Sequence, residues 1–94
     1  MPSLIRTGAF AYQGVTINPH LPEPVTVAQA CARLRKRPGT IRCWATRYAA
    51  RKLGTIEGRT VYDYRDLATI EACIHRGDPV PPTPDGRDQL RAAA

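Results

Sequence analysis

Apolar residues recur at helical spacing in two neighbouring stretches of the chain. In the first stretch, four of them are spaced i, i+3, i+4 and i+7: Val27, Ala30, Cys31 and Leu34. The second stretch repeats that spacing with Ile41, Trp44, Ala45 and Tyr48. Because Thr26 suits an N-cap and Pro38 suits the first turn of a helix, the pattern predicts helices over 27–35 and 38–51. So short a connection predicts a sharply angled helix pair.

A short β-hairpin is predicted after the second helix. Its strands cover 53–56 and 59–62, and Gly58 between them supplies the positive φ that a tight turn needs. Asp63 is then placed to cap a third helix that ends at Gly77. The buried face of that helix is formed by Leu67, Ile70 and Ile74. The predicted fold is mainly α with a small β-hairpin, in the element order of a winged helix-turn-helix.

Prolines divide the 94-residue chain into three parts. Eight of the nine lie outside 25–77, and proline interrupts the interiors of helices and sheets. We therefore expect an N-terminal arm at 1–24, a winged helix-turn-helix domain at 25–77 and a Pro-rich C-terminal tail at 78–94. The tail is expected to be extended over 78–86, with room for a short polar helix at 88–94. The arm is either a strand or small hairpin, packed on the wing or on a second subunit, or a disordered segment; its large apolar residues are Phe10, Tyr12, Val15 and Ile17.

Positive charge is concentrated in one part of the chain. The formal net charge is +6, yet residues 33–59 hold nine basic side chains and a single acid, Glu57. The rest of the chain holds five bases and seven acids. A solvated surface normally mixes both signs, so this segregation favours a polyanionic partner over a merely soluble basic face.

Four short segments carry a family resemblance: TVAQA at 26–30, PGTIRCW at 38–44, GRTVY at 58–62 and DL at 66–67. In this order they resemble the MerR-like and phage excisionase-like winged helix-turn-helix superfamily. The resemblance implies duplex DNA binding, with the second helix in the major groove and the hairpin, or wing, against a neighbouring groove or the backbone. By position it gives recognition-helix contacts to Thr40, Arg42 and Cys43, and the basic residue of the wing tip to Arg59.

Three features depart from the family pattern. The turn between the helices is Arg35-Lys36-Arg37, where the family usually has Gly-Val-Ser. The wing has Glu57-Gly58 in place of a double glycine. The second helix is expected to run about one turn further than usual.

The residues opposite the apolar stripe of the second helix form the predicted DNA-reading surface: Gly39, Thr40, Arg42, Cys43, Thr46, Arg47 and Ala50. Small residues let the helix backbone approach the groove, and an arginine fork fits the O6 and N7 atoms of guanine. Four basic residues crowd the turn between the helices: Arg33, Arg35, Lys36 and Arg37. Three others are expected to contact phosphates: Arg51, Lys52 and Arg59. Trp44 and Tyr48 share the apolar stripe, so we expect them in the core rather than stacked on bases.

The sequence thus predicts a sequence-specific double-stranded DNA-binding protein. It would be a small transcriptional regulator, or an excisionase (recombination directionality factor), of a phage or mobile element, self-associating on DNA cooperatively or as a dimer. The alternative is a DNA-recognition adaptor, such as a phage terminase small subunit or an antitoxin-type module, whose arm or tail binds a protein partner.

Other function classes have little support in the sequence. The acidic residues are scattered, and the three cysteines lack paired spacing, so no enzyme, cofactor or metal site is expected. No apolar run approaches the ~20 residues that span a bilayer, and residues 1–10 lack the pattern of a signal peptide. We therefore expect no membrane association and a cytoplasmic, nucleoid-associated location.

Overall fold

The structure of the chain, a computed structural model, describes residues 21–93. These residues form a small mixed α/β fold with four helices and a three-stranded antiparallel sheet. The elements in chain order are β1 (Pro24–Thr26), α1 (Val27–Leu34), α2 (Pro38–Arg47), β2 (Lys52–Ile56), β3 (Arg59–Asp63), α3 (Tyr64–Arg76) and α4 (Pro84–Ala93). The expectation for the arm at 10–17 lies outside the described residues.

The first helix begins and ends through local backbone chemistry. The Thr26 hydroxyl accepts the backbone N–H of Gln29 at 3.2 Å, and the Gln29 side chain accepts the N–H of Thr26 at 2.9 Å, which forms a capping box. At the other end Arg35 adopts a left-handed conformation with φ +57° and closes the helix. α1 therefore stops one residue before the predicted end.

The second helix begins at Pro38 as predicted but is shorter than expected. The prediction that it extends to residue 51 is wrong, because α2 ends at Arg47 and Ala49 takes a left-handed φ of +50°. The backbone N–H of Arg51 then bonds the carboxylate of Asp66 at 2.8 Å instead of continuing the helix. A tertiary contact therefore decides where α2 ends.

The predicted hairpin is confirmed, and the sheet has one strand more than the sequence suggested. β2 and β3 pair through a two-residue turn in which Glu57 (φ +50°) and Gly58 (φ +76°) both have positive φ, as a type I′ turn requires. β1 pairs antiparallel with the other edge of β3, with Val25 opposite Tyr62. The strand order is β1-β3-β2.

The core lies between the helices and one face of the sheet. Its buried members are Val25, Ala30, Ile41, Trp44, Ala45, Ala50, Tyr62, Leu67 and Ile70. Trp44 is in this core as predicted, and Tyr48 packs against it half-buried. Ile74 does not take the buried position predicted for it on α3: it is 41% exposed, whereas Cys73 is buried.

The C-terminal segment differs most from its prediction. Helix α4 begins at Pro84, so the expectation of an extended segment is wrong for residues 84–86. The short helix that the sequence suggested at 88–94 is present, but it begins four residues earlier. α4 packs against α3, and its Arg87 side chain is fully buried. The N–H of Gly86 donates to the Thr83 hydroxyl at 3.0 Å, a cap one residue before the helix.

Candidate nucleic-acid interface

The exposed face of α2 lies opposite its core-packed stripe of Ile41, Trp44 and Ala45. Five of the predicted contact residues are exposed on this face: Gly39, Arg42, Cys43, Thr46 and Arg47. Thr40 is half-buried. The placement of Ala50 on this face is wrong: α2 ends at Arg47, and Ala50 is buried in the core. The 3.6-residue period places the other six together, because residues three and four apart share one side of a helix. The face has no acidic side chain and only small residues between its two arginines.

The turn between α1 and α2 adds three bases in different surroundings. Arg35 and Arg37 are exposed. Arg37 is the N-cap residue of α2, but its side chain makes no capping hydrogen bond. Lys36 is half-buried, with its Nζ 3.9 Å from the Oε2 of Glu71 on α3. The two arginines are therefore exposed in the turn that joins α1 to α2, and the lysine lies near α3.

Two further predicted bases lie on the hairpin. Lys52 is exposed at the start of β2, five residues after α2 ends. Arg59 is exposed at the start of β3, directly after the turn formed by Glu57 and Gly58. Lys52 therefore lies where the hairpin begins, and Arg59 lies at the hairpin tip.

Ion pairing separates the basic residues into two groups. Among residues 21–93, six bases make no ion pair with a carboxylate: Arg35, Arg37, Arg42, Arg47, Lys52 and Arg59. We call these six the open basic set. All six are exposed, and all come from the turn, α2 or the hairpin. The other basic residues of this part of the chain each have an acidic partner.

Arg51 belongs to the paired group, although its sequence context predicts a phosphate contact. Its Nη2 lies 2.9 Å from the Oδ1 of Asp85 and 2.8 Å from the Oδ2 of Asp88, both on α4. The hydrogen bond to Asp85, reinforced by the charge of Asp88, raises the pKa of this guanidinium above its usual value despite some desolvation. Its charge is thus already neutralised within the protein. Sequence analysis missed these partners because it expected the segment around Asp85 to be extended.

A buried carboxylate fixes the junction between α2 and β2. Asp66 accepts the backbone N–H of Arg51 through Oδ2, and its two oxygens accept the Nε and Nη2 of Arg87 at 2.5 and 2.7 Å. The Nη2 of Arg87 also donates to the carbonyl of Ala49 at 3.3 Å. Asp66 on α3 and Arg87 on α4 therefore hold in place the connection between the end of α2 and the hairpin.

A second buried carboxylate holds the base of the sheet. Asp63 caps α3 by accepting the backbone N–H of Arg65 at 3.1 Å, and it accepts the N–H of Glu23 at the same distance. The guanidinium of Arg65 lies against it, with Nη2 3.0 Å from Oδ2. Burial alone would raise the pKa of Asp63, but the hydrogen bonds from Arg65 and Glu23 outweigh it and hold that pKa below its usual value.

Other chemistry is sparse in the described part of the chain. Cys43 is exposed on α2, Cys31 is half-buried and Cys73 is buried. Between residues 21 and 93, no three His, Cys, Asp or Glu side chains cluster as a metal site requires. No helix within that range combines the length and the hydropathy needed to cross a membrane.

Comparisons of this chain with protein-family models, with curated proteins and with solved structures find no match. Charge, exposure and geometry of the described residues therefore carry the functional argument. Among these, the open basic set and its placement on α2 and the hairpin are the most informative.

Proposed function

We propose that this chain is a sequence-specific double-stranded DNA-binding protein with a winged helix-turn-helix architecture. In this proposal α1 and α2 form the helix-turn-helix, α2 is the recognition helix in the major groove, and the β2–β3 hairpin is the wing. The protein acts as a small transcriptional regulator, or as an excisionase, of a phage or mobile element.

The segregation of ion pairs is the observation that carries this proposal. Every described base outside 33–59 has a carboxylate partner, whereas six exposed bases inside that range have none. Exposed charges of one sign repel one another and concentrate positive potential on one part of the surface. A duplex would relieve that repulsion, and its phosphates would release condensed counterions on binding.

The shape and side chains of α2 support a role in base reading. Ten residues give a helix about 15 Å long, and the major groove, at about 12 Å wide, admits a helix. Gly39, Cys43 and Thr46 have small side chains, so the backbone of α2 can come close to the bases of the DNA. Arg42 and Arg47 then supply the bidentate donors that recognise guanine.

The hairpin is suited to backbone contact. Lys52 and Arg59 are exposed, make no ion pair with residues 21–93, and lie outside α2. Basic side chains on a hairpin beside a recognition helix contact phosphates. Such contacts position a protein on the duplex without reading its sequence. We assign these two residues to phosphates, together with Arg35 and Arg37 in the turn between α1 and α2.

Selection from a random duplex library, followed by salt-titrated binding to the winning site and to scrambled DNA, tests the proposal. We expect a defined site bound at least ~10³-fold more tightly than scrambled DNA. Direct repeats in that site would indicate an excisionase-like array, and inverted repeats a dimeric regulator. Weak binding with steep salt dependence and no consensus would show that the open basic set contacts only phosphates. Absence of binding to any duplex would refute the function.

A further inference from the structure

The outer face of the sheet, turned away from the core, carries an apolar groove. It has a volume of about 600 Å³, and its main lining residues are Leu21, Pro22, Pro24, Leu53, Ile56 and Val61. Leu21 is 59% exposed and Ile56 is 53% exposed, more than any other large hydrophobic residue between 21 and 93. Exposed apolar residues that adjoin one another in this way indicate a surface that another segment covers.

The lining of the groove argues against a small-molecule ligand and against DNA. Ligand pockets of this volume normally place a few convergent polar groups that orient the ligand. Among the lining residues between 21 and 93, the only side-chain polar group is the hydroxyl of Thr55. None of the described lining residues is basic, so phosphate contacts do not explain the groove. Its occupant must present apolar side chains.

We propose that residues 10–17 of this same chain occupy the groove. That segment carries Phe10 and Tyr12 before Gln13-Gly14, and Val15 and Ile17 after it. Each pair is spaced i, i+2, the period that presents apolar side chains on one face of an extended segment. An extended segment with one apolar face is complementary to a shallow apolar groove on a sheet.

Chain connectivity keeps this segment near the groove. Ile17 precedes Leu21, a lining residue, by four positions, so their Cα atoms lie no more than about 14 Å apart. A tether this short gives an effective concentration in the millimolar range without any partner. The segment thus competes favourably with any occupant that must arrive from solution.

The two prolines of the groove restrict how the occupant binds. β1 is an edge strand, and Pro22 and Pro24 have no backbone N–H to donate to an added strand. Docking on this side therefore relies on side-chain packing rather than on extension of the sheet.

For a second copy of the chain, the exposed large hydrophobics of the described residues outside the groove are Ile74 on α3 and Leu90 on α4. Both are less exposed than Leu21 and Ile56, so they present less apolar surface to the groove of a second copy than the four apolar residues of 10–17 present.

Methyl-labelled NMR of the full chain tests this inference without reference to DNA binding. We expect nuclear Overhauser contacts from the methyls of Val15 and Ile17 to those of Leu53, Ile56 and Val61, unchanged on dilution. In a sample that mixes labelled and unlabelled chains, filtered spectra should show no intermolecular contacts. Intermolecular contacts alone would mean that a second copy is the occupant, and absence of contacts would mean that the groove is open; either result overturns the proposal.

A pair of matched variants provides the control. Ile17→Ser should shift the methyl resonances of Ile56 and Val61 and weaken the contacts between the two segments. Ile74→Ser removes an isoleucine from α3, away from the groove lining, and should leave those resonances in place. Groove resonances that do not respond to Ile17→Ser would contradict docking, whatever the result of the DNA-binding experiments.

Discussion

Asp66 on α3 and Arg87 on α4 form a fully buried, two-point ion pair. The Nε of Arg87 lies 2.5 Å from Oδ1 and its Nη2 lies 2.7 Å from Oδ2, and both side chains are 0% exposed. The same guanidinium donates to the carbonyls of Pro81 and Ala49. The pair thus links the C-terminal helix to the junction from which the hairpin emerges.

We expect Arg87→Ala to destabilise the protein by about 3–5 kcal/mol, because the variant leaves Asp66 buried without its counter-charge. Urea unfolding followed by circular dichroism measures the change. Arg76→Ala is the matched control, since it breaks an exposed pair with Asp78 and should change the stability little. Equal effects of the two variants would show that the buried pair has no special structural role.

The pH dependence of stability should report on Asp63. Its folded-state pKa lies below the unfolded value of about 3.9, so the ionised carboxylate stabilises the fold above that value. This contribution is lost as the pH falls from about 4 towards the folded pKa. The difference in unfolding free energy between the wild type and Asp63→Asn should therefore be larger at pH 6 than at pH 3. A difference that stays constant with pH would contradict the assignment.

Arg42→Ala and Arg47→Ala should each weaken binding to the selected site by about 1–3 kcal/mol and relax the base preference at one position. Fluorescence anisotropy on the selected and scrambled duplexes measures both effects. Arg76→Ala, outside the open basic set, should bind like the wild type. Equal losses on the two duplexes would remove these arginines from base reading.

Neighbouring residues Arg51 and Lys52 should behave differently towards DNA. Lys52 is exposed and unpaired, so Lys52→Ala should weaken binding to every duplex and lower the salt slope by about one unit. Arg51 is already paired with Asp85 and Asp88, so Arg51→Ala should change the slope less and lower the stability of the fold. A full unit of slope lost in Arg51→Ala would mean that DNA displaces the two aspartates.

Glu57 at the hairpin tip has no ion-pair partner among residues 21–93 and lies two positions from Arg59. If the tip approaches phosphates, Glu57→Gln should raise the affinity for all duplexes by roughly two- to fivefold, since it removes a like-charge repulsion. Binding titrations at low salt measure this gain best. Unchanged affinity at low salt would place the hairpin tip away from the duplex.

The elements that sequence analysis predicted well are those that local patterns determine. The apolar stripe that begins at Ile41 placed α2 against the core, and the turn at Gly58 located the hairpin, because each signal lies within a few residues. The exposed face of α2 follows from the same periodicity. Nothing beyond helical spacing was needed to bring Arg42 and Arg47 onto it.

The predictions that failed depend on contacts between distant parts of the chain. α2 ends early because the N–H of Arg51 bonds Asp66, fifteen residues away. α4 packs on α3 because Arg87 is buried against the same carboxylate, although an arginine in a Pro-rich polar tail is normally expected in solvent. β1 is three residues long and pairs with β3 almost forty residues later, which no local pattern signals.

The most direct test of the proposed function is amide NMR mapping of the full chain titrated with the selected duplex. We expect the largest shift changes at residues 35–47 and around Lys52 and Arg59, with little change on the outward side of α3 and α4. Changes centred on α3 and α4, or a spectrum that does not respond to the duplex, would contradict the assignment of α2 as the DNA-reading helix.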